Sequence, residues 1–305
     1  MRKNALFGYL TGVCAVLFWS YNVIIARYMA NELTPWQISL GRWAVAGAVL
    51  MPFYARPLWR KRQILMQNFW RILILSVSGI ALQNTLVYQA GHTAGAVNMA
   101  LLGTTGPVFL VIFSAMFLKT KVSLKQCAGF LIALFGVLTI IMKGHLTDIE
   151  NFQFVRGDFY MLIGAAVFGL YGAFQAGGVR GVSENELLAA SIFAAVVFLA
   201  IVCAVTYPYA PAANLTSKGV WTIVYMGVLP SLFSYFCWNV TLETLGSLKA
   251  GLIYYLMPVF SSLEAAVVLH EGMTRAQLAG GALVLLGVFV AAYHRPKHVV
   301  TIRRA

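Results

Sequence analysis

Two stretches decide the fold: the residues from Pro107, PVFLVIFSAMFLKTKVSLKQCAGFLIALFGVL, and those from Pro258, PVFSSLEAAVVLHEGMTRAQLAGGALVLLGVF. Set together at a constant offset of 151 without a gap, they pair Pro107 with Pro258, Phe109 with Phe260 and Gln126 with Gln277. The same frame pairs Gly129 with Gly280 and Gly136 with Gly287. Leucine-rich helices resemble one another by chance, but a shared proline and two spaced glycines in one ungapped frame are harder to obtain that way. A weaker match, offset by 150, links Phe18 and Tyr21 to Phe168 and Tyr171. The chain therefore reads as two copies of one unit, over residues 1–145 and 146–305.

Outward from that repeat, the composition says what each copy is made of. Of 305 residues, 60% are hydrophobic and 10% charged, and the mean hydropathy is +0.80. A soluble domain carries about a quarter charged residues. This chain has too little polar surface to cover its apolar side chains in water, which argues against a cytosolic enzyme, a secreted disulfide protein or a disordered chain. Apolar segments of about 20 residues, enough to cross a bilayer, fall at roughly 6–27, 35–55, 69–91, 95–118 and 124–142. A second set falls at roughly 157–177, 187–208, 219–241, 247–268 and 274–293. The runs are too long, and too free of period-2 alternation, for a membrane barrel. The expected fold class is an all-α polytopic membrane protein of ten transmembrane helices. Because five spans is an odd number, the second copy enters the membrane in the opposite sense, giving inverted five-helix repeats.

Charge supplies the orientation. With both termini on one side, sixteen Lys and Arg lie on that side, including Arg56, Arg60, Lys61, Arg62, Lys119, Lys121 and Lys125. Five lie on the other: Arg27, Lys143, Arg156, Lys218 and Arg275. The positive-inside rule makes the first side cytoplasmic. The formal net charge of +13 is thus expected to face lipid headgroups, not nucleic acid. The N-terminal apolar run continues to about Ile25 and reads as a retained first span, not a cleaved signal. Cys14, Cys127, Cys203 and Cys237 lie inside apolar runs without CxxC spacing, and the five histidines lack ligand spacing. No metal, cofactor or catalytic residue is expected, and no nucleotide-binding or hydrolase motif is present.

At these residues the chain resembles the drug/metabolite transporter superfamily, in its bacterial EamA-type ten-helix form. The resemblance rests on LFWSYNVIIARYM (Leu17–Met29), on Arg42 in the second span and on the prolines of spans four and nine. Glu271, Gln277 and Gly280 match a glutamate, glutamine and glycine that the family often carries after its ninth span. Thr120 stands where the first copy would carry that glutamate. The resemblance implies export of amino acids, amphiphilic cations or other small metabolites, and fixes no substrate.

Polar groups in lipid are costly unless paired or turned to an internal cavity, so they mark the bundle interior. The candidate substrate-binding residues are Trp19, Asn22, Gln83, Asn84, Tyr88, Tyr171, Gln175, Trp238, Asn239 and Tyr254. Asn84 and Tyr88, and likewise Tyr171 and Gln175, are four apart and share a helix face. Amides suit a carboxylate or amine, and aromatic faces suit an apolar group or a cation. The same residues could equally serve as hydrogen-bonding glue between helices. Arg42 and Glu264 are expected at similar depth, as a proton relay or a static pair, with Glu264 alternatively snorkelling to the interface. Pro107 and Pro258 are expected to kink spans four and nine, as hinges or as fixed bends.

The sequence thus predicts a secondary transporter of the bacterial inner membrane working by alternating access. Its expected partners are a small-molecule substrate, membrane lipids and protons, and it is expected to be a monomer. The competing readings are a membrane-embedded enzyme, a channel and a lipid flippase.

Overall fold

A computed structural model describes residues 5–29, 32–118, 124–141, 155–176, 178–206, 216–254 and 256–292. Residues 119–123, 142–154 and 207–215 lie outside the described residues, and with them Thr120 and the expected topology charges Lys119, Lys121 and Lys143. The first half is built from α1 (Ala5–Tyr28), α2 (Pro35–Arg60), α3 (Arg62–Gln67), α4 (Phe69–Leu75), α5 (Gln83–Ala90), α6 (Ala96–Gly103), α7 (Gly106–Leu118) and α8 (Leu124–Ile141). The second half holds α9 (Arg156–Ala176), α10 (Glu184–Thr206), α11 (Ser217–Val228), α12 (Ser234–Tyr254), α13 (Met257–Val268) and α14 (Arg275–Ala292). Among the described residues seven helical runs are long and apolar enough to cross a membrane, and Cys127–Ile140, Met257–Val268 and Arg275–Gly287 are shorter apolar helices. Trp70, Trp221, Phe53 and Val267 are among many exposed apolar side chains, an outer surface suited to lipid and not to water.

Helix starts follow local chemistry. Thr34 and Gln37 form a reciprocal capping box ahead of α2, with Pro35 at its first turn. Thr274 and Gln277 do the same for α14, and Thr216 accepts from Gly219 N at the start of α11.

Two runs contain a π-helical turn. Ser76–Leu82 joins α4 to α5, and Leu229–Phe233 joins α11 to α12. The 151-residue offset carries the second segment onto residues 78–82, inside the first. In each, side chains add hydrogen bonds to backbone carbonyls four or five residues back: Ser76 donates to Ile72 O and Asn84 to Ile80 O. Ser231 donates to Met226 O, and Ser234 to Leu229 O. Pro230 has no amide to give, which favours the irregular turn at its site.

The expected kinks are breaks. α6 ends at Gly103, Thr104 and Thr105 turn, and Pro107 is the second residue of a new helix. Leu256 likewise turns before α13, with Pro258 buried in its first turn. A proline costs little there, because the first amides of a helix have no internal partner. The hydroxyls of Thr104 and Thr105 donate to Leu101 O and Leu102 O, the same carbonyls that take their backbone N–H groups in the turn.

The backbone of α12 is helical from Ser234 to Tyr254, yet it cannot be straight. Thr241 and Ile253 both lie against Gly12, and a straight helix would set residues twelve apart about 18 Å from each other. The chain therefore folds back within this segment.

α8 packs along α14 with backbone against backbone. A Cβ on Gly136 would sit 2.6 Å from Gly280 O, and one on Gly287 would sit 2.5 Å from Gly129 O. Gly129 and Gly136 thus meet Gly287 and Gly280 in reverse order, so the helices run antiparallel. Elsewhere α1 packs on α12 and α13, α9 on α5 and α7, and α2 on α10.

Candidate substrate site

Arg42 stands seven residues into α2, about 10 Å from the helix start, and is 2% exposed. Burying a guanidinium strips its water, so its donors need acceptors. Asn22 Oδ1 from α1 accepts from Nη1 at 3.0 Å, and Asn84 Oδ1 and Tyr88 Oη from α5 accept at 2.8 and 2.6 Å. Ser231 Oγ, in the second π turn, accepts from Nε at 2.5 Å. Tyr88 also donates to Asn22 Oδ1. These acceptors are neutral, and among the described residues no carboxylate lies within ion-pair distance of Arg42. A positive charge sits in the bundle interior with Nε and Nη1 on neutral acceptors and, among the described residues, no carboxylate beside it.

An aromatic cluster lies on the same side of α1. Trp19 packs against Tyr235, Trp238 and Tyr254 with ring centroids 5.4, 5.4 and 6.1 Å apart. Its indole N–H donates to Pro230 O, the residue before Ser231. Tyr235 also meets Trp43, the neighbour of Arg42. The π turn thus joins the two clusters: Pro230 holds the aromatic one and Ser231 the cationic one. In this conformation the polar centre is shut, with Tyr88, Asn84 and Asn22 all buried.

The expected residues therefore divide. Asn22, Asn84 and Tyr88 gather on Arg42, and Trp19, Trp238 and Tyr254 form the aromatic cluster. Tyr171 stacks on Phe168 and lies over Gly79, where a Cβ would collide with its ring. Gln83 and Gln175 are half-buried on their helices and join neither cluster. The side chains of Asn239 and Pro107 lie outside the described residues. Ser231 was not anticipated, since no local pattern distinguishes it from other serines in apolar runs.

Arg42 and Glu264 do not pair. Glu264 Oε1 accepts from Ser20 Oγ at 3.0 Å. Ser20 and Asn22 are two residues apart on α1, about 200° around the helix, so α1 stands between the cation and the acid. Their depth along the helix axis is similar; their azimuth about α1 is opposite.

At the end of α1 a second unanticipated group closes the bundle. Arg27 Nη2 lies 3.3 Å from Glu271 Oε1 and Arg27 Nη1 donates to Gly91 O. Glu271 Oε2 accepts from Ala96 N, the first residue of α6, at 3.0 Å. One carboxylate thus ties α1 and α13 to α6. Gly91 lies so close to the α1 backbone that a Cβ would sit 2.5 Å from Ala26 O.

A multi-span helical bundle with a polar, charged centre has the form of a membrane transporter. The EamA-like transporter family model matches residues 6–142 and again 155–293, and the chain belongs to that family; it is a multi-pass membrane transporter, not an enzyme. Among its relatives, the uncharacterized transporter YyaM of Bacillus subtilis (strain 168) is 27% identical over 272 residues, 88% of each chain. An uncharacterized transporter of Archaeoglobus fulgidus is 24% identical, covering 90% of this chain and 93% of its own. A probable terminal-alkyne amino-acid exporter of Streptantibioticus cattleyicolor is 26% identical, covering 83% and 82%. A crystal structure 20% identical in sequence covers 93% of this chain and 96% of its own with a TM-score of 0.60, and shares the fold.

Proposed function

We propose that this protein is a secondary transporter exporting small carboxylate-bearing metabolites, amino acids foremost, across the cytoplasmic membrane. The observation that carries the reading is Arg42: a buried guanidinium held by neutral acceptors alone. When the bundle opens, a substrate carboxylate arriving there gains a charge-assisted, bidentate partner, while a cationic substrate meets like charge. The aromatic cluster beside it suits the substrate's apolar part. The similarity to a probable amino-acid exporter agrees with this class.

The mechanism is alternating access between two inverted five-helix repeats, 1–145 and 146–305, making ten spans with both termini cytoplasmic. The double family match, the matching π turns and the matching breaks before Pro107 and Pro258 support the repeat. The antiparallel glycine contacts of α8 and α14 support its inversion: Gly136 meets Gly280 and Gly129 meets Gly287, the reciprocal pattern of a two-fold axis across the helices.

The test is flux in proteoliposomes with labelled amino acids and organic cations. Saturable amino-acid transport, lost in Arg42→Gln and partly kept in Arg42→Lys, is the expected result. Transport of cations alone would overturn the carboxylate reading. Ion current that does not saturate would make the protein a channel.

A further inference from the structure

Glu264 lies in the half of α13 that faces α1. Its Oε1 takes the Ser20 hydroxyl, while its Oε2 is buried without a hydrogen-bond partner among the described residues. Among the described residues, the groups around it offer no positive charge. From α1 come Ser20 and Tyr21, and from α11 comes Tyr225, whose ring packs on Tyr21 at 5.7 Å. From α13 itself comes Ser261, which donates to Ser20 O. Toward α6 the nearest ionic groups, Arg27 and Glu271, pair with each other and with Ala96 N. Arg42 is turned to the opposite side of α1 by Asn22. A carboxylate charge here has one hydroxyl donor and one bare oxygen; a carboxylic acid has a proton on that oxygen and no charge to compensate.

The internal repeat sharpens the point. The 151-residue offset places Phe113 at the position of Glu264 and Leu110 at that of Ser261. In the first half, Leu110 packs on Gly172 and Gly169 of α9, and Phe113 stacks on Phe117. The same helix–helix contact is apolar in one copy and carries an acid in the other. Packing alone therefore does not require a carboxyl group at this place.

We propose that Glu264, with Ser20, is a proton-binding site that couples closure of α1 on α13 to protonation, so that entry of one proton drives exit of substrate. This rests on the transporter reading above. With the proton on Oε2, the acid is neutral and the α1–α13 contact seals. When the proton leaves, the carboxylate needs water or a donor, and the contact loosens. The proton taken from water on one side is returned to water on the other, and no other bond changes.

Infrared difference spectra of the purified protein after pH jumps read this directly and without substrate. A protonated-carboxyl C=O band that responds to the pH jump is expected. It should vanish in Glu264→Gln, shift in Ser20→Ala and survive in Glu271→Gln. Identical spectra for the parent protein and Glu264→Gln would overturn the site. For coupling, Glu264→Gln in proteoliposomes is expected to keep exchange of labelled substrate at equal pH and to lose acceleration by a pH gradient. A variant still driven by the gradient would overturn the coupling even if the infrared band is found. Should no labelled solute be moved by the parent protein, the transporter reading fails by itself, and the spectra still decide whether Glu264 holds a proton. Melting curves of Glu264→Gln and Glu264→Asp separate misfolding from loss of the proton.

Discussion

Arg42 shows how much one residue can demand of its surroundings. A hydrogen bond to a buried charged group contributes about 1.5–3 kcal/mol, and Arg42 donates such bonds to three separate parts of the chain: Asn22, the Asn84–Tyr88 face, and Ser231. Ser231→Ala removes one acceptor and is expected to lower stability by about 1.5–3 kcal/mol, read as a drop in melting temperature in detergent. Tyr88→Phe should fall in the same range. Arg42→Met should cost more than either, because Asn22, Asn84 and Ser231 are then left buried without their donor. Arg62→Met, on the exposed end of the bundle, is the control and should be nearly neutral. The face shared by Asn84 and Tyr88 is readable from their spacing of four. The approach of Ser231 is not, because it comes from 189 residues away through a turn whose width no local pattern announces.

At the scale of elements, α8 and α14 are held together by the absence of side chains. Gly136 and Gly280 let two backbones approach until dispersion contacts accumulate over their whole length. Adding even one carbon forces them apart. Gly280→Ala is expected to destabilise by about 1–3 kcal/mol, the usual cost of overpacking, whereas Gly272→Ala should be neutral, since a Cβ there meets nothing within 4 Å. Unfolding of the two variants in mild detergent checks the contrast. The prolines teach a related lesson. A proline inside an apolar run reads as a kink, yet Pro107 and Pro258 both lie in the first turn of new helices, where a missing amide costs little. Local sequence reports that an amide is missing; it does not report whether the helix bends or restarts.

For the whole molecule, the Arg27–Glu271 clasp is the contact whose loss should change shape more than stability. Its side chains are 33% and 28% exposed, and such a pair contributes only about 0–1 kcal/mol. Its place decides its effect, since it joins α1, α13 and α6 at one end of the bundle. With Ser261→Cys as a reporter in a cysteine-free background, and with the topology proposed above, Glu271→Gln is expected to speed labelling by a membrane-impermeant thiol reagent from outside the cell. Equal labelling rates in the two proteins would show that the clasp does not gate that face. The Lys61–Glu186 pair, 2.7 Å apart between the ends of α2 and α10, is the matching contact among basic residues expected at the cytoplasmic side. Breaking it should leave that labelling unchanged.

Hydropathy, the run lengths and the spaced glycines of the two quoted stretches determined that the chain is a multi-span helical membrane protein of EamA type, because a bilayer permits few backbone solutions and each leaves a long apolar signature. They also determined how deep Arg42 and Glu264 lie, since position along a helix is a count of residues. Only the tertiary structure decided on which side of α1 each one falls. Rotation about a helix axis has no signature in a nearly uniform apolar segment; it is set by which neighbours pack, and here that packing placed the cation with Asn22, Asn84, Tyr88 and Ser231 and left the acid to Ser20.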